Sequence, residues 1–359
     1  MELKTLSSRL PAHDAAHPSL DAARLPSLDA ARLPSLDATR LVAALLVVVI
    51  HFGGMTVGHD PVSLLSQVTD AEVRIATPFF FLLTGYFYPR LVTQGRLRRH
   101  LRKLLTMAVL ATLFYLVFAL FYEYGGDIRA LVGEQLTPGC LKRWAVYNWS
   151  PGADHLWFFY AVIYDLLLLA LADRFGASRL LRWLSVVAMV LLFVSNFTPH
   201  YELTRNFLFF GLPFVVMGRS LAEHRLSALV RWFTPRRCIA VALCGIVLTA
   251  AEVLVYSLWF TPATPIRECY FGTLITLLPL FLLTLQLRIS PSRTVLIRLA
   301  DYGRRHSANI YIFHFAIGSL ILFLLPLNGF FPHLLLAVPV IFSLSVFFSA
   351  IIKVTPSRQ

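Results

Sequence analysis

The chain has 359 residues, of which 57% are hydrophobic and 14% charged, and its formal net charge is +13. A soluble domain carries about 25% charged residues, so no soluble fold of this length could bury so much apolar surface, which excludes secreted and cytosolic enzymes and disordered chains. The apolar runs are continuous rather than alternating, which excludes a β-barrel and leaves an all-α, polytopic transmembrane bundle.

The residues before the first apolar run contain a tandem repeat of period eight: SLDAARLP at 19–26, SLDAARLP at 27–34 and SLDATRLV at 35–42. Such a period is too short for a solenoid unit, and the repeat reads as a duplication of coding sequence or an upstream start. The leader is too long for a signal peptide, and no A-x-A-like site follows the apolar run. Residues 1–34 are therefore expected to be a disordered cytoplasmic leader, 35–353 the membrane domain and 354–359 a cytoplasmic tail.

Ten spans are predicted, at about 41–58, 73–88, 104–123, 156–172, 180–197, 206–221, 238–260, 269–287, 307–325 and 333–352. With the N-terminus in the cytoplasm, 26 of the 32 Lys and Arg residues fall in inner segments and 5 in outer ones, with Arg74 at the outer start of the second span. That asymmetry is the positive-inside pattern and places both termini in the cytoplasm. The excess of basic residues then needs no nucleic-acid partner.

Ionisable side chains inside spans mark candidate functional sites. In the first span Arg40 precedes His51 by eleven residues, about 16 Å of helical rise and roughly three turns. The two share a face, with Arg40 at the cytoplasmic rim and His51 near mid-membrane. They could hold the two ends of a long ligand. Glu72 and Arg74 lie at the outer start of the second span. The inner segment 89–103 crowds Arg96, Arg98, Arg99, Arg102 and Lys103 together. Such a cluster serves lipid head groups or, through bidentate guanidinium forks, a phosphorylated donor.

The outer segment 124–155 is rich in Gly, Pro and Trp and reads as a cap over the bundle or a contact for a bulky acceptor. His155 and Trp157 at the outer start of the fourth span, Arg74, and Arg205 at the start of the sixth are candidates for binding a sugar acceptor. Asp165 in the fourth span and Glu252 in the seventh are carboxylates that could orient His51. A Cys140–Cys269 bridge is conceivable on the outer side. In the ninth span Ser307, Tyr311 and His314 share one face, giving a second buried imidazole. No GxSxG, P-loop, HExxH or metal-ligand spacing occurs, so neither nucleotide hydrolysis nor a metal is expected.

Six segments occur in one order along the chain: LDATRLVAALLVVVIH (Leu36–His51), PFFFLLTGYF (Pro78–Phe87), RRHLRK with Arg99 and Arg102, HLWFFYAVI (His155–Ile163), RNFLFFGLPFVVMG (Arg205–Gly218) and SANIYIFHFAI (Ser307–Ile317). Together they resemble membrane-bound acyltransferase family 3, the O-acyltransferases of bacterial polysaccharides and other acceptors. The Arg-x10-His spacing of Arg40 and His51 is the most specific element. Arg24 and Arg32 in the repeat have Ser35 and Ala43 at that spacing instead. Thr84-Gly85 stands where the family usually has Ser-Gly.

The resemblance implies a stand-alone ten-helix enzyme of the bacterial inner membrane. Acetyl-CoA would be its cytoplasmic donor and a polysaccharide or lipid-linked sugar hydroxyl its acceptor, with membrane lipids and glycan-assembly proteins as partners. On that reading Arg40, Arg99 and Arg102 hold the donor phosphates, and His51 is the base or transient acetyl carrier. Asp165, Glu252 or His314 would orient it. The competing readings are a proton-coupled transporter, since buried His, Asp and Glu also mark proton relays, and a polysaccharide polymerase or flippase.

Overall fold

The computed structural model describes residues 33–56, 58–195, 204–259, 267–290 and 292–351, and among them all regular structure is helical. Most of the leader, including the first repeat copy and most of the second, and the tail 354–359 lie outside the described residues. Seven helical segments are long and apolar enough to cross a membrane. They are α1 (Pro34–Phe52), α4 (Leu97–Tyr122), α7 (Trp157–Arg174, entered by a 3-10 turn at Asp154–Leu156), α8 (Ser178–Ser195), α11 (Pro235–Trp259), α13 (Thr294–Leu324) and the segment Phe330–Ile351, which ends in α14 (Val338–Ile351). Two shorter apolar helices, α9 (Leu212–Ala222, entered by a π turn at Phe207–Gly211) and α12 (Phe271–Gln286), and the 18-residue α3 (Ala76–Thr93) complete the set. Each of the ten predicted spans overlaps one of these helices. The protein is a multi-pass membrane protein, and lipid-facing stripes are explicit: on α4, Val109, Leu113 and Val117 recur every fourth residue and are exposed.

The first helix starts at Pro34, seven residues before the predicted span. Proline is at home in the first turn, where its missing N–H costs nothing. Asp37 favours the positive helix end and pairs with Arg40 at 2.8 Å. Arg40 is therefore in the second turn and His51 in the last, so the ring sits at one end of α1 rather than midway along it. Four further helices were not predicted: α2 (Pro61–Val73), α5 (Ile128–Gln135), α6 (Pro138–Tyr147) and α10 (Ser227–Trp232). Three of them begin at side-chain caps, at Asp60, Asp127 and Thr137. The Ser63 hydroxyl and the Ser63 and Val62 amides donate to the Asp60 carboxylate, which holds its pKa below the ordinary carboxylate value. Cys140 is a free thiol, so the conceivable Cys140–Cys269 bridge is not formed.

Glycines let backbones touch where three helix pairs cross, as in membrane bundles generally. A Cβ at Gly85 of α3 would meet the backbone of Val215 in α9, and one at Gly218 of α9 would meet the Leu82 carbonyl. Gly245 of α11 and Gly272 of α12 approach each other in the same way, and Gly303 of α13 faces the Asp37 carbonyl of α1. Gly218→Val should lower stability by about 3 kcal/mol, at the upper end of overpacking costs. Thermal unfolding of the purified variant in detergent measures this.

Candidate active site

Three histidines from distant parts of the chain converge. His51 comes from the last turn of α1, His155 from the 3-10 turn before α7, and His314 from mid-α13. Their ring centroids are 5.1 Å (51–314), 5.3 Å (155–314) and 6.0 Å (51–155) apart. His155 and His314 are buried, whereas His51 is partly accessible. Phe315 stacks on His155 at 5.1 Å and meets His51 edge-on at 5.8 Å, so the rings share one aromatic wall.

The protonation geometry of His314 is set by its own helix. Its Nδ1 lies 2.7 Å from the Tyr311 carbonyl oxygen, which can only accept, so Nδ1 carries the proton. In the neutral ring Nε2 then holds a lone pair, and it has no hydrogen-bond partner. This is how a backbone carbonyl fixes the tautomer of a working imidazole. The His155 ring has no well-formed hydrogen bond, the Ile312 carbonyl beside it being engaged by Tyr115. Tyr115 of α4 braces the same stretch of α13. Its hydroxyl donates to the Ile312 carbonyl at 2.6 Å and accepts from the Ala316 amide at 3.1 Å, inserting into the helical ladder beside His314.

A cavity of about 410 Å³ approaches this cluster. Four basic side chains line it: Arg40, Arg90, Arg96 and His100. Tyr311, Phe80 and Phe158 are among its aromatic walls. His51 itself is outside the lining. Tyr311 stands between the two spaces: it faces the cavity, its ring centroid is 5.8 Å from both His155 and His314, and its hydroxyl donates to the His155 carbonyl.

The other expected site residues fall in several places. Arg40 lines the cavity, pairs with Asp37 and lies 5.5 Å from the Phe87 ring centre. Arg99 and Arg102 are exposed on the first turns of α4 and outside the cavity lining. Arg96, exposed just before the helix, and the half-buried His100 line the cavity instead. Asp165 is fully buried in α7, roughly 15 Å of helical rise beyond His155. It packs against Gly211, where a Cβ would collide with its carboxylate, and it makes no contact with the imidazoles that would orient them. Glu252 accepts from the amides of Gly272 at 2.8 Å and Phe271 at 3.1 Å, capping α12. Trp157 is buried between Phe81 and Phe210, at 5.9 and 5.6 Å. Arg74 and Arg205 lie in a buried ion-pair network.

At the centre of that network is Glu268, which no sequence feature had singled out. Its carboxylate bridges Arg74 at 3.0 Å and Arg205 at 2.8 Å, and Arg74 also pairs with Asp70 at 2.7 Å. Arg74 and Arg205 are close enough to His51 to act on it electrostatically, and Arg205 acts on His155 as well. Among the described residues no group of three His, Cys, Asp or Glu is placed to hold a metal ion.

Comparison with known families matches residues 33–354 to the sequence model of an acyltransferase domain, that of acyltransferase family 3. Neither the curated proteins nor the solved structures gave a match to the chain.

Proposed function

The chain belongs to acyltransferase family 3, and from that premise we propose that it moves an acetyl group from cytoplasmic acetyl-CoA to a hydroxyl of a cell-surface or lipid-linked sugar. Membrane acyl transfer is the activity of the family; the donor, the acceptor, the sidedness and the roles below are our reading. The observation that carries it is the cavity whose basic side chains lie at the helix ends that the proposed topology puts on the cytoplasmic side and whose far wall touches the histidine cluster. In that topology the ten helices cross the bacterial inner membrane, residues 35–353 form the enzyme, and both termini are cytoplasmic.

The donor phosphates would be gripped by Arg40, joined by Arg90, Arg96 and His100. Arg99 and Arg102 on the exposed stripe would gather the polyanion from solution. The pantetheine arm would run inward along α1 and α3 until the thioester reaches Tyr311. There His51 takes the proton from the acceptor hydroxyl as its oxygen attacks the thioester carbon. The C–S bond breaks, and the thiolate leaves with that proton as CoA thiol. His314, whose Nε2 has no hydrogen-bond partner at rest, would accept a hydrogen bond from the far nitrogen of His51 during turnover and so orient it. If His51 instead carries the acetyl group transiently, an N–C bond forms and breaks at the same ring. Arg74 and Arg205, held by Glu268, would lie beside the acceptor oxygen. Glycan-assembly proteins would deliver the acceptor.

The test is turnover of labelled acetyl-CoA by the purified protein in proteoliposomes, with an acetyl count on surface glycans after gene deletion. No turnover and an unchanged acetyl count would remove the reading. Within it, Arg40→Ala should raise the KM for acetyl-CoA roughly 10- to 100-fold. That is the loss of one charge-assisted contact worth about 1.5–3 kcal/mol. The KM for acceptor should move little.

A further inference from the structure

The residues around the cavity are ordered by depth along four helices. On α3 the lining residues run from Phe80 to Gln94, about 21 Å of helical rise. The aromatic end is deep and the Arg90–Gln94 end shallow. On α4 the order runs from Arg96 and His100 at the mouth to Leu104 further in. On α7 Phe158 is the deepest lining residue and Val162 the shallowest, and on α13 Tyr311 lies deeper than Ser307. The cations of α3 and of the start of α4 thus lie at one end, and the rings that α3, α7 and α13 contribute lie toward the other.

The deep end is closed by rings in mutual contact. The centroid of Phe80 is 6.0 Å from that of Phe158, and that of Phe158 is 5.4 Å from that of Tyr311. Phe159 backs Tyr311 at 5.4 Å. Three helices thus contribute to one continuous aromatic ceiling. A thioester donor anchored by its phosphates at the cationic mouth must present its acyl group to this ceiling.

We propose that Phe80, Phe158 and Tyr311 determine the length of acyl chain the protein accepts, and that the ceiling restricts the donor to short acyl groups. The proposal rests on the acyl-CoA reading above and deepens it. A chain of a few carbons fits below the rings with its carbonyl against Tyr311, next to the imidazoles. A longer chain must either displace a packed ring or withdraw the carbonyl toward the mouth. Phe158 is the central member, because it touches both other rings.

The experiment measures displacement of labelled CoA from the full-length protein in nanodiscs by acetyl-, butyryl-, hexanoyl- and octanoyl-CoA. In the wild type, affinity should fall by about tenfold or more from acetyl- to octanoyl-CoA, the scale on which a pocket discriminates added methylenes. In Phe158→Ala that ratio should collapse to about one. Phe80→Leu, a milder change that retains an apolar side chain, should shift it in the same direction. The proposal is overturned if wild type binds octanoyl-CoA as tightly as acetyl-CoA, or if both variants keep the wild-type ratio. Failure of the wild type to bind CoA at all overturns the donor reading and this proposal with it. A measurable CoA affinity with an unchanged ratio overturns this proposal alone.

Discussion

His51→Ala should abolish acyl transfer, with a loss of about a thousandfold or more, while the protein still inserts and folds. Removing a positioned general base costs about 10²–10⁴ in rate, and a transient acetyl carrier has no substitute at all. The ring is partly accessible and makes no hydrogen bond that holds α1 in place, so truncation leaves a small gap rather than an unpaired buried group. The measurement is turnover of labelled acetyl-CoA by wild type and variant reconstituted at equal amounts, with a thermal unfolding curve for each. Transfer within tenfold of wild type in a folded variant would displace His51 from the chemistry. His314→Ala is the informative companion. If His314 orients His51, the loss should be smaller and should appear in kcat rather than in the KM for acetyl-CoA.

Glu268→Ala should lower stability by about 3–5 kcal/mol, far more than the loss of an exposed ion-pair partner. The carboxylate is 4% exposed and bridges Arg74, also 4% exposed, and Arg205. Removing one partner of a buried ion pair leaves an uncompensated charge and costs about 3–5 kcal/mol. The contrast is Asp301→Asn on α13. There the Arg304 and Arg305 partners are 46% and 60% exposed, and screened surface pairs contribute about 0–1 kcal/mol. Thermal unfolding of both variants in the same detergent gives the comparison. A Glu268 variant no less stable than the Asp301 variant would contradict the buried-network account. Glu268→Gln separates charge from shape. It keeps an acceptor oxygen but removes the negative charge that both guanidinium groups share, so most of the loss should remain.

The helices themselves were legible because hydropathy is a local signal: every predicted span overlaps a helix. The short helices α2, α5 and α6 were not, since they are too polar to stand out by hydropathy. Their starts rest on Asp60, Asp127 and Thr137 acting as caps, which a turn-rich reading does not separate from a loop. His51 and His314 were visible as polar groups inside apolar runs, and so was Asp165, which turned out to pack apart from them. Nothing local distinguishes the two cases, because which face of a span meets which neighbour is decided by packing between segments more than a hundred residues apart. The same limit explains His155. It precedes its span and reads as an outer-loop residue until the 3-10 turn folds it against α13. On α4 a shift of one residue in helical phase decided whether Arg99 or His100 faces the cavity. Glu268 stands just ahead of its span, and its role depends on Arg74, 194 positions away.

The paired glycines of α3 and α9 carry a consequence for how a bulky molecule gets in. With Gly85 and Gly218 each pressed on the opposite main chain, these two helices cannot slide or part without losing contact along their whole crossing. The α3 side of the cavity is therefore a rigid jamb, and widening of the entrance falls to the first turns of α4 and to α13. A covalent tether between α3 and α9 should be harmless to turnover. One joining α3 to the beginning of α4 should trap the doorway shut.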